Sequence, residues 1–204
     1  MASLLIFGAG GHGRVVADAA RLAGKWSVIV ASDRDPARCR GELLAGIALL
    51  QPDGALATAQ AVHVAIGNAA SREKEVAVLA AGVLATVVHP QAAVSSQASL
   101  SPGCFIAAQA VVAPLAGLGR SVIVNHGAVV DHDATVGDFS HIAPRAALGG
   151  RVQVGRRVLI GSGACVLSGL RVGDDVVVGA GAVVCDHLDE PGVYAGVPAR
   201  RLKK

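Results

Sequence analysis

From Val94 to Val184 the chain places Val, Leu or Ile at every sixth position, sixteen times without a gap. Two residues ahead of each lies a smaller register, filled mostly by Ala and otherwise by Val, Ser, Leu or Cys. The residue that follows the large one is Gly at seven of the sixteen steps. A helix repeats its apolar face about every 3.6 residues and a simple strand every second residue, so a period of six suits neither. It is the period of a parallel β-helix, in which each hexapeptide supplies one short strand and a turn. Three hexapeptides close one triangular coil, and sixteen give five coils and a third, a prism roughly 25 Å tall. Coils this narrow expose much surface for their core, so side-by-side association with closed symmetry is expected.

The first half carries a different pattern. Residues 3–7 (SLLIF) form a short apolar strand that runs at once into Gly8-Ala9-Gly10-Gly11-His12-Gly13. Arg14 to Leu22 then places Val15, Val16, Ala19, Ala20 and Leu22 on one helical face, closed by Gly24. Further strands are predicted at Ser27–Ala31, ending at Ser32-Asp33, and at Val62–Ile66, ending at Gly67-Asn68. A helix is predicted over 70–81 and a last strand over Val83–Val88. Strand–helix alternation of this kind builds a small parallel α/β domain of the Rossmann-like sort over residues 1–88. The β-helix follows over residues 89–204, entered through His89-Pro90.

Composition sharpens this picture. Apolar residues reach 52% but aromatics only 2%, as suits a shaft too narrow for rings. Net charge is +3, with Lys and Arg dispersed and no aromatic platform beside them, which argues against nucleic-acid binding. The start, MASLLIFGAGGHG, has no basic leader and meets Gly after a very short apolar run, so it reads as a first strand. No apolar stretch is long enough for a membrane span, and a cytoplasmic location is expected. Cys39, Cys104, Cys165 and Cys185 lack metal-ligand spacing and read as free thiols.

Two places carry chemistry. Gly8, Gly10 and Gly13 match GxGxxG, with an acidic Asp33 further on: a loop that lets backbone N–H groups approach a phosphate at a helix N-terminus. Asp33, Gly67 and Asn68 lie at carboxyl ends of strands, where open α/β sheets bind ligands. A hydride-transfer enzyme would need a second catalytic domain, and here a β-helix stands in its place. The other place is 125–141, which concentrates Asn125, His126, Asp131, His132, Asp133, Asp138 and His141 on outward positions. A carboxylate on one imidazole nitrogen fixes the tautomer and leaves the other nitrogen as a general base, a role that suits His132, which is flanked by carboxylates on both sides. Metal binding by His126, His132 and His141 would need convergence that a single rigid prism does not offer, and no metal is expected.

At FGAGGHGRVVADAA, VAIGN (64–68), VVDHDATVGDFSHIAP (129–144) and GVYAGVPAR (192–200) the chain resembles the hexapeptide-repeat nucleotide-sugar acetyltransferases that carry a small N-terminal α/β domain. Within that family it is similar to enzymes that acetylate the 4-amino group of a UDP-linked amino-dideoxy sugar in the bacillosamine pathway. Related members acetylate GDP-perosamine or sialic acid. The resemblance implies a left-handed β-helix, a homotrimer with its active site between subunits, and acetyl-CoA lying along the β-helix.

It also implies roles, residue by residue. His132 matches the family's base, and Asp133 the acidic neighbour that raises its basicity. His141 and Gly150 match positions at the acetyl-CoA thioester. Ser162 and Ala180 fall where relatives line the pantetheine and adenine ends, though with different side chains. Gly10, Gly11 and His12 match the loop at the sugar nucleotide's phosphates; Ser32, Asp33 and Gly67 match its uridine and ribose contacts, Ser32 standing where close relatives carry a second Asp, and Asn68 beside Gly67 is counted with the substrate-binding residues. The function so implied is N-acetylation of a nucleotide-linked 4-amino sugar. O-acetylation of sialic acid, N-acetylation of GDP-perosamine, and a non-catalytic trimeric scaffold or sensor are the alternatives.

Overall fold

The computed structural model describes residues 3–79 and 82–202, which divide into two compact units, Met1–Pro90 and Gln91–Lys204. In the first unit β1 (Ser3–Phe7) lies between β2 (Val28–Ser32) and a third strand, Ala61–Val64, all parallel. Leu4, Leu5 and Ile6 of β1 are fully buried, and α1 (Gly11–Ala23) covers them with Val16, Ala17 and Ala20. A β-carbon on Gly13 would collide with the Gly8 carbonyl, so glycine here lets the helix start close against the strand it follows.

The chain between β2 and the Ala61–Val64 strand carries elements the hydrophobic pattern does not announce: a small hairpin of β3 (Glu42–Leu44) and β4 (Ile47–Ala48), then α2 (Pro52–Thr58). The Ala61–Val64 strand is therefore β5, and α3 (Ala69–Ala77) follows it. The helix expected over 70–81 ends as α3 at Ala77, and its expected last residues, Ala80 and Ala81, lie outside the described residues. The strand expected over Val83–Val88 is reduced to a bridge, Val62 with Leu84, and to β6 (Val87–Val88).

The second unit is a left-handed parallel β-helix, an exception to the usual right-handed crossover. Its three faces repeat in order: a first with strands ending at Val94, Val112, Val130, Leu148, Val166 and Val184; a second at Leu100, Leu118, Val136, Val154 and Val172; a third at Ile106, Val124, Ile142, Ile160 and Val178. The large apolar residue of every hexapeptide points inward, and the whole third-face column is 0% exposed. Each such side chain contributes about 1.5–3 kcal/mol by leaving water.

Three residues beyond each large one the backbone turns left-handed, from Gly103 (φ 83°) to Gly181 (φ 68°) without a gap. The amide there donates to the coil below: Asp133 to the Pro114 carbonyl at 3.2 Å, Arg151 to the His132 carbonyl at 2.9 Å. Stacked corners thus stay in register. The corner from the second to the third face is a charge ladder, with Asp138 accepting from the Arg120 amide and Asp174 from the Arg156 amide, each at 2.8 Å. At the C-terminal side Gly192–Ala195 pairs with Val176–Val178, and Arg200–Arg201 pairs antiparallel outside it.

Candidate functional site

His132 stands at the corner between the first and second faces of the β-helix. Its two acidic neighbours do different jobs. Asp131 Oδ1 accepts the His132 backbone N–H at 2.7 Å and shapes the turn. Asp133 Oδ2 lies 2.8 Å from His132 Nδ1 and orients the ring. Asp133 occupies one of the left-handed positions (φ 59°), a conformation that Asp tolerates better than most residues. With the proton on Nδ1 held by the carboxylate, Nε2 carries the lone pair.

Gly150 occupies the same corner one coil on. A β-carbon on it would fall 2.6 Å from His132 Cε1 and closer still to Nε2, so only glycine leaves the ring its place. Gly150 is buried, and among the described residues its N–H has no protein partner, an uncommon condition for a buried amide. A lone-pair nitrogen and an uncommitted N–H thus meet at one corner. That is what acyl transfer requires: a base for the nucleophile and a donor for the developing oxyanion.

The other β-helix positions stand elsewhere. His141 projects from the third face, opposite the His132 corner, and its Nε2 lies 3.1 Å from Asn125 Nδ2. Ser162 and Ala180 stack on successive coils at the corner from the third to the first face, joined by the Gly181 amide on the Ser162 carbonyl at 2.9 Å. His126 shares that corner two coils below Ser162. One chain therefore pairs His132 with Gly150 but holds His141, Ser162 and Ala180 apart from them. Among the described residues no group of three His, Cys, Asp or Glu could hold a metal ion.

In the first unit Gly10 caps α1, and Gly11 and His12 open it. A β-carbon on Gly10 or Gly11 would meet nothing within 4 Å, so space lies open over these amides. Asp33 at the end of β2 accepts from the Ala9 amide at 2.8 Å and from the Asp35 amide at 3.0 Å, which ties the glycine loop to the second strand. Ser32 is fully buried, its hydroxyl donating to the Leu50 carbonyl at 2.8 Å. Its side chain is thus taken up by the fold at the end of β2, next to Asp33. Gly67 and Asn68 lie between β5 and α3, and Asn68 caps α3 through Oδ1 on the Ser71 amide at 2.9 Å.

Several polar groups here have no precursor in the sequence pattern. Arg72 is 1% exposed and donates to the carbonyls of Ile66 (2.6 Å) and Gly67 (2.9 Å). Arg34, next to Asp33, pairs with both oxygens of Glu75 at 2.5 and 2.6 Å, and that pairing raises its pKa. A cleft of about 550 Å³ opens beside the pair, lined also by Ser71, Lys74, Ala77 and Val78. His63 on β5 is pushed down to about 4 by burial, opposed by a hydrogen bond to the Ala85 carbonyl, with the nearby Arg72 charge a smaller contribution in the lowering direction.

Comparison with known proteins covers both units. The family model described as the PglD N-terminal domain matches residues 3–79, and the bacterial transferase hexapeptide model (six repeats) matches residues 151–186. The acetyltransferase domain of PglB from Neisseria gonorrhoeae FA1090 is 36% identical, with a TM-score of 0.91 over 99% of this chain and 100% of that one. The same domain in complex with acetyl coenzyme A gives a TM-score of 0.92 at 36% identity over 98% of each chain. A mutant of the GDP-perosamine N-acetyl transferase from Caulobacter crescentus, in complex with CoA and GDP-perosamine, is 32% identical, with a TM-score of 0.90 over 100% of this chain and 98% of that one.

Proposed function

This chain belongs to the PglD-type hexapeptide-repeat sugar acetyltransferases, and on that premise we propose that it moves the acetyl group of acetyl-CoA onto the amine of a UDP-linked 4-amino-dideoxy sugar. The observation that carries the reading is the His132 corner: an imidazole oriented by Asp133, beside the uncommitted N–H of Gly150. His132 Nε2 takes a proton from the sugar ammonium, directly or through a water. The freed amine nitrogen attacks the thioester carbon, and the Gly150 N–H receives the negative oxygen. The tetrahedral intermediate collapses by breaking the carbon–sulfur bond. As CoA leaves, its thiolate takes up the second proton still carried by the adduct nitrogen, which leaves a neutral amide, and the first proton passes from His132 to solvent.

The glycine loop at Gly10, Gly11 and His12 would hold the nucleotide's phosphates, with Gly67 and Asn68 toward the nucleoside. Asp33 would act there through the loop it ties to β2. The resemblance of the FGAGGHGRVVADAA and VAIGN segments to enzymes of UDP-linked amino sugars supports UDP. GDP-perosamine is the second reading, supported by the full-length match to the Caulobacter enzyme.

A homotrimer belongs to the same proposal. Outward positions of the first face are Ala93, Val111, Val129, Ala147, Cys165 and Val183, an apolar surface in a chain whose second face carries Gln153 and Arg171. If His141, Ser162 and Ala180 serve the same acetyl-CoA as His132 and Gly150, they do so from a neighbouring copy.

Turnover with labelled acetyl-CoA tests the reading, against UDP-4-amino sugars, GDP-perosamine and sialic acid as acceptors. The UDP-linked amines should be acetylated best, and His132→Ala should lower their turnover by roughly 100-fold or more while acetyl-CoA affinity stays nearly intact. Near wild-type turnover in that variant would sink the mechanism; acetylation of sialic acid alone would sink the acceptor.

A further inference from the structure

We infer that Arg72 is a positioning residue for the nucleotide end of the substrate: from inside the fold it turns two consecutive backbone amides, Gly67 and Asn68, outward as donors. This rests on the proposed sugar-nucleotide reading and deepens it at the β5–α3 loop.

The geometry is that of a strap. One guanidinium nitrogen, Nη1, donates to the carbonyls of both Ile66 and Gly67. In a planar trans peptide the carbonyl of one residue and the N–H of the next point in opposite directions. Holding the Ile66 carbonyl toward Arg72 therefore aims the Gly67 N–H away from it, and holding the Gly67 carbonyl does the same for Asn68. Neither amide has a protein partner among the described residues. Gly67 also has open space where a β-carbon would stand. Turning those carbonyls outward would take two hydrogen bonds from a buried guanidinium, a cost that holds the loop in this arrangement.

Placement adds a second argument. β5 is the immediate neighbour of β1, in parallel register from Leu4 with Ala61 to Phe7 with Val64. Both strands thus deliver their following loops to one edge of the sheet, the Gly10-Gly11 amides after β1 and the Gly67-Asn68 amides after β5. The α3 cap keeps the loop from drifting: Asn68 Oδ1 receives the Ser71 amide, and the Asn68 carbonyl receives the Arg72 amide at 2.9 Å. Two outward donors of fixed spacing suit an oxygen-rich ligand, namely the diphosphate or the carbonyl edge of a pyrimidine or guanine base.

Calorimetric titration with UDP and with GDP, on wild type and on Arg72→Lys and Arg72→Met, reads the strap directly. Whichever nucleotide wild type binds should lose roughly tenfold or more in affinity in both variants. The KM for the nucleotide sugar should rise in step, while kcat at saturation and the KM for acetyl-CoA stay within about threefold. A merely structural role would lower Tm and leave nucleotide affinity unchanged below it, which overturns the inference. Should Arg72→Met fail to fold, Arg72→Lys and the wild-type amide spectrum still decide. Saturation with the bound nucleotide should shift the Gly67 and Asn68 amide resonances, and still resonances there overturn the proposal. Wild type that binds neither nucleotide overturns the substrate reading together with it; wild type that binds, with unaffected variants, overturns the Arg72 role alone.

Discussion

At the scale of single residues, Gly150 and His132 share one small volume, and the sharing links backbone to chemistry. Gly150→Ala would put a methyl carbon on the imidazole, and the ring, which is half exposed, is the part able to move. Rotation of the ring breaks the Nδ1–Asp133 bond that fixes its tautomer and swings Nε2 off the reacting proton. Turnover is therefore expected to fall by about 100-fold, as for other lost general bases, with the fold intact by circular dichroism. A variant that keeps wild-type kcat would show that the ring does not work from this position.

The proposed base stands out in the sequence because it interrupts a regular beat: Asp131-His132-Asp133 puts three ionisable groups where most turns carry Gly, Ala or Pro. The pattern alone does not say which adjacent carboxylate meets the ring; the family resemblance points to Asp133, and the left-handed turn there directs its side chain to Nδ1. Arg72 gave no signal either. On a helix with Glu73, Lys74 and Glu75 beside it, an arginine reads as one more solvated charge, and only the fold buries it.

Among the elements, β5 carries a pH-sensitive group at its centre. His63 is buried, with Nδ1 2.9 Å from the Ala85 carbonyl and a folded pKa near 4 against an ordinary 6.5. As pH falls below 6.5 the unfolded chain takes the proton and the folded chain does not. The stability from keeping this ring neutral is therefore full above about pH 6.5 and is lost progressively toward pH 4. The slope approaches about 1.4 kcal/mol per pH unit only below 6.5, so roughly 1–2 kcal/mol should vanish between pH 6.5 and 5. His63→Asn keeps a donor for the Ala85 carbonyl and removes the titration. Urea unfolding at both pH values should show the variant losing less stability than wild type by that margin; equal losses would place the acid sensitivity elsewhere.

Elements differ in how openly the sequence declares them. Hexapeptide strands are two or three residues long and have almost no individual signal, yet stacking forces each to repeat its neighbour, and repetition is easily read. The β3–β4 hairpin and α2 occur once each, without periodicity to average over. The expected Val83–Val88 strand breaks up because apolar content sets burial there without setting a ladder.

Across the whole molecule, the apolar first face and the separation of His141 from His132 lead to one expectation. Val129→Glu places a charge at the middle of that face, on the coil that carries the base. If function needs neighbouring copies, light scattering should show the trimer mass of wild type replaced by monomer, with turnover lost alongside it. A fully active monomer would overturn the intersubunit site.

The strand Arg200–Arg201 has a bearing on assembly of a different sort. An open β-helix edge is a template on which a second chain could continue the ladder without limit. Here the Val176–Val178 edge is covered by Gly192–Ala195, and the strand beyond it is antiparallel and made of two exposed arginines, Arg201 paired with Glu190 at 2.7 Å and Arg200 with Asp186 at 3.2 Å. Reversed direction breaks the parallel template, and long charged side chains on the rim blunt it further. Continuation of the third-face ladder into another copy is thereby opposed at this rim, in keeping with copies that meet side by side rather than end to end.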